Sequence, residues 1–300
     1  MKNLLVALVR SALFLVAWVL ATVLCQRLMV YAPALASLSG AQGALRNQLC
    51  ALVPALLLSW VFGFIDTDAH GNGTLALGRL RGGTVGFLVG FTLILPVIIL
   101  VFSGACSIEP ATIMPDSGVA TGLGLSVPLG AAEGPGVAAV SEPLKGLAWW
   151  IVYLAAVAAT ETIISFGYVF SVLQARSGDV SAVIVSTLVF LGVTYQSMPL
   201  SATGAAVCVA VSLLLSLVGL ESGGLLAPFA TRFFYLLVAR MGFGVALTSA
   251  ACPSLFPLST RGEGSLFGVV TVPGNIQLVL LLFTALAVLF CAIRAWRTRP

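Results

Sequence analysis

Two charged residues stand inside apolar stretches of this 300-residue chain, Glu161 in LAAVAATETIISFGYVF and Arg232 in LLAPFATRFFYLLV. An ionisable side chain in lipid costs a few kcal/mol, so a charge placed there points to function and to a partner. Each of the two is the obvious partner of the other. Glu161 could serve as a general base or carry a proton, and Arg232 could donate hydrogen bonds to a developing anion. Snorkelling to the interface is the competing reading, and the longer stem of Arg232 suits it better than the mid-helix position of Glu161 does. An internal Glu161–Arg232 pair is the expectation.

Little else in the chain is equipped for chemistry. The only histidine, His70, lies in DTDAHGNG beside Asp66 and Asp68, a composition that reads as a solvated turn. GxxxxGK[ST], HExxH, CxxC and GxSxG patterns are absent from the sequence. A single histidine rules out a zinc site with two or three imidazoles from this chain, and a serine triad has no intramembrane histidine as base. No metal and no cofactor is expected.

The elements that must position Glu161 and Arg232 are membrane helices. Hydrophobic residues make up 60% of the chain and charged residues 8%, where a soluble domain carries about 25% charge; mean hydropathy is +1.12. Several runs reach the ~20 apolar residues that span a bilayer core. The pattern predicts an all-α polytopic membrane protein with about eight transmembrane helices, near 4–31, 48–65, 83–103, 147–174, 181–198, 203–220, 224–243 and 276–295. With the N-terminus inside, Lys2, Arg10, Arg79, Arg81, Arg176, Arg294, Arg297 and Arg299 fall on the cytoplasmic side. Fewer basic residues, Arg27, Arg46, Lys145, Arg240 and Arg261, fall outside. This bias places both termini in the cytoplasm. The first segment could pass for a signal peptide, but Arg10 within it and the lack of a small-residue cleavage site favour a retained helix. The net charge of +4 is spread over helix ends without a basic stripe, so a nucleic-acid partner is not expected. The expected partners are the lipid bilayer and other integral membrane proteins.

Two long excursions, 104–146 and about 244–275, are dense in Gly, Pro and Ser and read as loops on the outer side. They carry Cys106 and Cys252, which could form a disulfide in an oxidising compartment; Cys25 and Cys50 compete as partners. Cys208 and Cys291 fall in helices and read as small packing residues. In RGGTVGFLVGFTL, Gly82, Gly86 and Gly90 recur every four residues, a face that lets two backbones approach closely, with a helix of the same chain as the favoured neighbour.

The order of these features resembles the CPBP family, also called CAAX-protease-like or Abi intramembrane proteases, whose core helices carry EExxFRG, then FxxxH, then a third histidine after an apolar LxxP run with Asn or Asp four residues on. Here Glu161-Thr-Ile-Ile-Ser-Phe-Gly167 followed by Tyr168 looks like EExxFRGY, keeping the first glutamate and the glycine. Thr162 stands at the second glutamate and Phe166 at the arginine. LVFLGVTY puts Phe190 and Thr194 at the FxxxH positions. In GLESGGLLAPFATRFFYLL, Leu226, Pro228 and Phe229 are in register, Arg232 takes the histidine position and Leu236 the Asn or Asp position. The resemblance covers about 75–250. It implies a CPBP-like helical core there, flanked by N-terminal helices and a loop over 1–74 and by an outer loop and a last helix over 251–300.

What departs from the pattern bears on function. In the family a glutamate activates water, and histidines with an Asn or Asp support it or bind metal; only the glutamate is kept here. A guanidinium beside a carboxylate favours its anionic form and weakens it as a base. The resemblance therefore implies a catalytically degenerate member, a pseudoprotease acting as a binding or assembly factor or as a subunit of a larger membrane complex, most naturally in a bacterial inner membrane. Two alternatives remain open: a residual intramembrane protease using Glu161 with Arg232 as electrophilic stabiliser, and a small proton-coupled transporter. Thr194, Tyr195 and Gln196 either complete the pair's hydrogen bonds or mark the end of their helix.

Overall fold

The computed structural model describes residues 2–29, 31, 32, 38, 40–65, 86, 89, 90, 106–108, 137–197, 202–242 and 258–260. Apart from one short strand pair, the described elements are helical. In chain order they are α1 (Lys2–Met29), α2 (Gly40–Ile65), β1 (Cys106–Ile108), α3 (Val137–Thr162), a π-helical segment (Ile163–Tyr168), α4 (Val169–Ser177), α5 (Asp179–Ser197), α6 (Ala202–Ser222), α7 (Leu226–Tyr235), a second π-helical segment (Leu236–Gly242) and β2 (Leu258–Thr260). Among the described residues, three helices are long and apolar enough to cross a membrane: Asn3–Met29, Ala41–Phe64 and Leu147–Ser177. Asp179–Thr194, Cys208–Ser222 and Leu226–Val238 are apolar but shorter.

α1 and α2 form an antiparallel hairpin. Phe14 meets Phe62 edge-on at 5.7 Å and the Trp18 indole N–H donates to the Ala51 carbonyl at 3.0 Å; the second pairing advances along α1 while it retreats along α2. The hairpin attaches to the rest of the chain through Tyr168, whose ring lies 5.0 Å from Phe14 and 5.4 Å from Phe62. Its outer side stays apolar and exposed: Leu5, Leu13, Leu20 and Leu24 on α1, Leu57, Trp60 and Phe64 on α2. On α5, Val180, Ile184 and Leu188 form a similar stripe at four-residue spacing. A contiguous apolar surface of this kind suits hydrocarbon rather than water.

Inside, two hydrophobic clusters share the α3–π–α4 rod. Trp150, Tyr153 and Leu154 pack with Leu236 and Met241, while Ile164, Phe166 and Tyr168 pack with Phe190, Leu214 and Tyr235. Several buried hydroxyls donate one turn back on their own helices: Thr162 to Ala158, Ser186 to Ala182, Thr194 to Phe190 and Ser216 to Ser212. Bonds between helices are fewer. Gln48 on α2 donates to Thr160 on α3 at 2.8 Å, and Ser212 on α6 to Thr187 on α5 at 3.2 Å. The tight turns after α4 and α6 both need a left-handed residue, and glycine supplies it at Gly178 (φ 86°) and Gly223 (φ 65°).

Three differences from the sequence reading concern boundaries and loops. α2 begins at Gly40 rather than near 48, because GAQGALRNQLC continues its helical turns outside the apolar run that marks the span. The stretch read as loop over 104–146 holds β1 and the first turns of α3, which starts at Val137; Pro143 and Gly146 obscure the helix-favouring Ala and Leu around them. β1 pairs antiparallel with β2, Cys106 opposite Thr260, so a backbone ladder joins the two excursions where loops were expected. Helix 276–295, the greater part of 83–103, Gly82, Cys252 and the His70 turn lie outside the described residues.

Candidate functional site

Glu161 is the second-last residue of α3, just ahead of the first π segment; Arg232 lies in α7, four residues ahead of the second. π turns widen the helix by one residue and recur at functional positions. Within the first, Gly167 leaves helical geometry (φ −82°, ψ −110°), so the rod bends just past Glu161. α7 reaches Glu161 because Phe229 and Phe233, ring-stacked at 6.0 Å, pack on the Trp150 cluster of α3.

The two charges meet side-on. Arg232 Nε–H donates to Glu161 Oε2 at 2.7 Å and Nη2–H donates to Oε1 at 3.2 Å. Arg232 is 1% exposed and Glu161 4%, which makes this a desolvated, two-pronged pair, the arrangement the arginine fork supports best. Snorkelling does not occur at either residue. Aromatic rings sheathe the guanidinium: Phe190 lies 5.1 Å and Tyr235 5.8 Å from its central carbon, within cation–π range. The Cys208 thiol of α6, buried and free, is in electrostatic range of both charges.

The remaining sequence-predicted positions fall around this pair in different ways. Phe190 contributes its ring face, and Phe166 packs on it at 6.1 Å. Thr194 is fully buried but donates to Phe190's carbonyl at 2.9 Å, so its proton goes to its own helix rather than to Glu161. The backbone of Tyr195 and Gln196 is helical, part of α5. Gly167 forms the bend, and Pro228 occupies the first turn of α7, where a missing N–H costs no helical bond. Cys106 pairs by its backbone in β1.

On another face of α7 lie Gly86 and Gly90. A methyl group added at Gly86 would run into the carbonyl oxygen of Ala227, and one at Gly90 would come 3.0 Å from the carbonyl oxygen of Thr231 and 3.1 Å from Phe234 Cβ. Thr231 Oγ1 donates to the Gly86 carbonyl at 3.0 Å, sharing its proton with Ala227 at 2.9 Å. Gly86 and Gly90 therefore seat against α7 of the same chain.

Sequence reasoning passed over Tyr235 and saw Cys208 only as packing. Tyr235 had a signal, since it stands three residues after Arg232 on one helical face. Cys208 had none; nothing in ATGAAVCVAV tells which face of α6 meets the pair. Chemically, the arrangement is closed. Each carboxylate oxygen accepts one hydrogen bond from the guanidinium, and both residues are buried. Among the described residues no group of three or more His, Cys, Asp and Glu side chains gathers as metal ligands would.

No family model, curated protein or solved structure matches the chain. Among the described residues, the geometry defines a predominantly helical fold with three helices long and apolar enough to cross a membrane and a buried ion pair joining α3 to α7.

Proposed function

We propose that this chain is a catalytically degenerate relative of the CPBP intramembrane proteases, an integral protein of a bacterial inner membrane that serves as a binding or assembly factor or a subunit of a larger membrane complex. In this reading about eight helices span the bilayer, both termini are cytoplasmic, and the β1–β2 ladder lies on the outer side as a candidate contact surface. The observation that carries the proposal is the two-pronged Glu161–Arg232 pair: a glutamate with both oxygens engaged by a neighbouring cation braces two helices and is poorly placed to activate water. The arginine at the family's histidine position and the self-bonded Thr194 support the same reading.

The experiment is gentle purification from the native membrane into nanodiscs, with mass spectrometry of what stays bound, beside Glu161→Gln. Co-purifying membrane proteins in fixed stoichiometry, retained or weakened together in the variant, are the expected outcome. A chain that purifies alone and cleaves peptides in a Glu161-dependent way overturns the proposal in favour of a protease. Uptake into proteoliposomes that follows a pH gradient and fails in Glu161→Gln overturns it in favour of a transporter.

A further inference from the structure

Three rings put the long helices on a common scale of height. Phe14 lies 5.7 Å from Phe62 and 5.0 Å from Tyr168, and Phe62 lies 5.4 Å from Tyr168. Gln48 donates to Thr160 at 2.8 Å. Phe62 follows Gln48 on α2 as Tyr168 follows Thr160 on the α3–π–α4 rod, so α2 and the rod run parallel. Thirteen residues on from Phe14 along α1 is Arg27, and thirteen back from Phe62 along α2 is Leu49. Arg27 therefore stands level with Gln48, and Glu161, which follows Thr160, lies close to that level. At the other end, Arg10 is one turn before Phe14 and α2 ends at Ile65, just past Phe62.

These levels bracket a slab. Seventeen positions separate Arg10 from Arg27, and seventeen separate Gln48 from Ile65, ~25 Å of helix in each case. No charged residue falls inside either stretch, and Leu13, Leu20 and Leu57 face outward along them. Just beyond, Gln26 and Arg27 are exposed on α1, and exposed Asn47 accepts from Arg46 at 2.9 Å on α2. The rod is longer, with an apolar run of 31 residues from Leu147 to Ser177; that is ~46 Å against a hydrocarbon thickness of ~30 Å, so a bilayer covers only part of it. A bilayer centred on the Glu161–Arg232 pair would carry exposed Arg27 and Asn47 to mid-depth, where a charge is most costly. One seated on the charge-free stretches leaves both among the headgroups.

We infer, on the membrane reading above, that lipid hydrocarbon surrounds the hairpin between Arg10 and Arg27 and between Gln48 and Ile65. The Glu161–Arg232 pair then lies near the bilayer face at which α1 gives way to α2, away from the midplane, and α3 ahead of Thr160 stands beyond the hydrocarbon. Trp149 and Val152, exposed on that leading part, face headgroups or water instead of acyl chains. A partner docking at this face would meet the pair across a turn or two of helix and not across half a bilayer.

The test is depth measurement on the full chain in nanodiscs. Leu20, Leu57 and Val152 are replaced one at a time by an azide-bearing phenylalanine that takes a spin label, which leaves the native cysteines untouched. Collisions with oxygen, which concentrates in acyl chains, are compared with collisions with a water-soluble nickel complex. The expected result is that oxygen dominates at 20 and 57, while nickel reaches the label at 152 several-fold more than at 57. Labels at 57 and 152 with equal oxygen preference overturn the inference, because they lie on opposite sides of the Gln48–Thr160 level and would place the pair at the midplane. The lipid annulus in an electron-microscopy map of the wild type gives the same decision without any variant: centred on Leu20 and Leu57 it supports the assignment, and centred on the pair it overturns it. No oxygen preference at any of the three sites, with no annulus, overturns the membrane reading itself.

Discussion

Consecutive residues of α7 fasten it to two neighbours by different physics. Arg232 reaches α3 and binds Glu161 by charge, through two hydrogen bonds in a dry, ring-lined setting. Thr231, one position earlier, meets the Gly86 segment by shape: two backbones come so close that no side chain fits between them, and a hydroxyl bridges to the Gly86 carbonyl. Where lipid is as apolar as any leucine, burial of oil does not distinguish one helix neighbour from another, so association rests on close packing and polar contacts. The charged fastening is directional and fails badly when half of it is removed. The shape fastening is adaptable in chemistry but intolerant of volume.

The largest effect should come from breaking the charged side by half. Arg232→Ala leaves a buried carboxylate unpaired and should lower stability by about 3–5 kcal/mol, read as reversible unfolding in mixed micelles; a loss under ~1 kcal/mol would mean the pair is exchanging with water. Next, Gly86→Ala forces a methyl group onto backbone that cannot swing away, at a cost of about 1–3 kcal/mol. Gly90→Ala, which meets the edge of Phe234 as well as backbone, should cost less than Gly86→Ala in the same assay. The reverse order would show that the contact pivots about Gly90.

The third test sharpens the difference between the two fastenings. Replacing both partners, Glu161→Leu with Arg232→Met, removes two desolvation penalties along with the attraction, and the double variant should regain most of what Arg232→Ala loses, ending within about 1–2 kcal/mol of wild type. If the double variant is as unstable as the single one, the pair contributes through more than charge compensation. Smaller again, Thr231→Val keeps shape and removes the bridge to Gly86, at about 0.6 kcal/mol, the usual size of such a bond between membrane helices. Leu20→Ala on the exposed face of α1 serves as the baseline and should stay within ~0.5 kcal/mol.

Much of this site was legible in the chain itself. A glutamate and an arginine, each within an apolar run, have few ways to persist in lipid other than together, and the four-residue glycine spacing announces a face meant for another backbone. Phe190, Thr194 and Pro228 were singled out from a motif resemblance, yet their parts differ: Phe190 faces the cation, Thr194 bonds its own helix, and Pro228 opens α7. The polar excursions were the least legible. Pairing of Cys106–Ile108 with Leu258–Thr260 joins stretches some 150 residues apart, and no local pattern specifies such a partner.

The sequence by itself determined the helical class, the apolar lengths that suit a bilayer and the identity of the two charges that must be neutralised, because hydropathy, residue spacing and the cost of a buried charge are properties of the residues alone. Only the tertiary structure decided the rest. The side-on fork follows from the bend at Gly167 and from the way α7 packs on the Trp150 cluster. The rings over Arg232, the nearness of Cys208 and the seating of Gly86 on Ala227 depend on how separate helices are rotated and set against one another. Rotation of a helix about its axis is set by its neighbours, and in a chain apolar on nearly every side the residue pattern leaves that angle open.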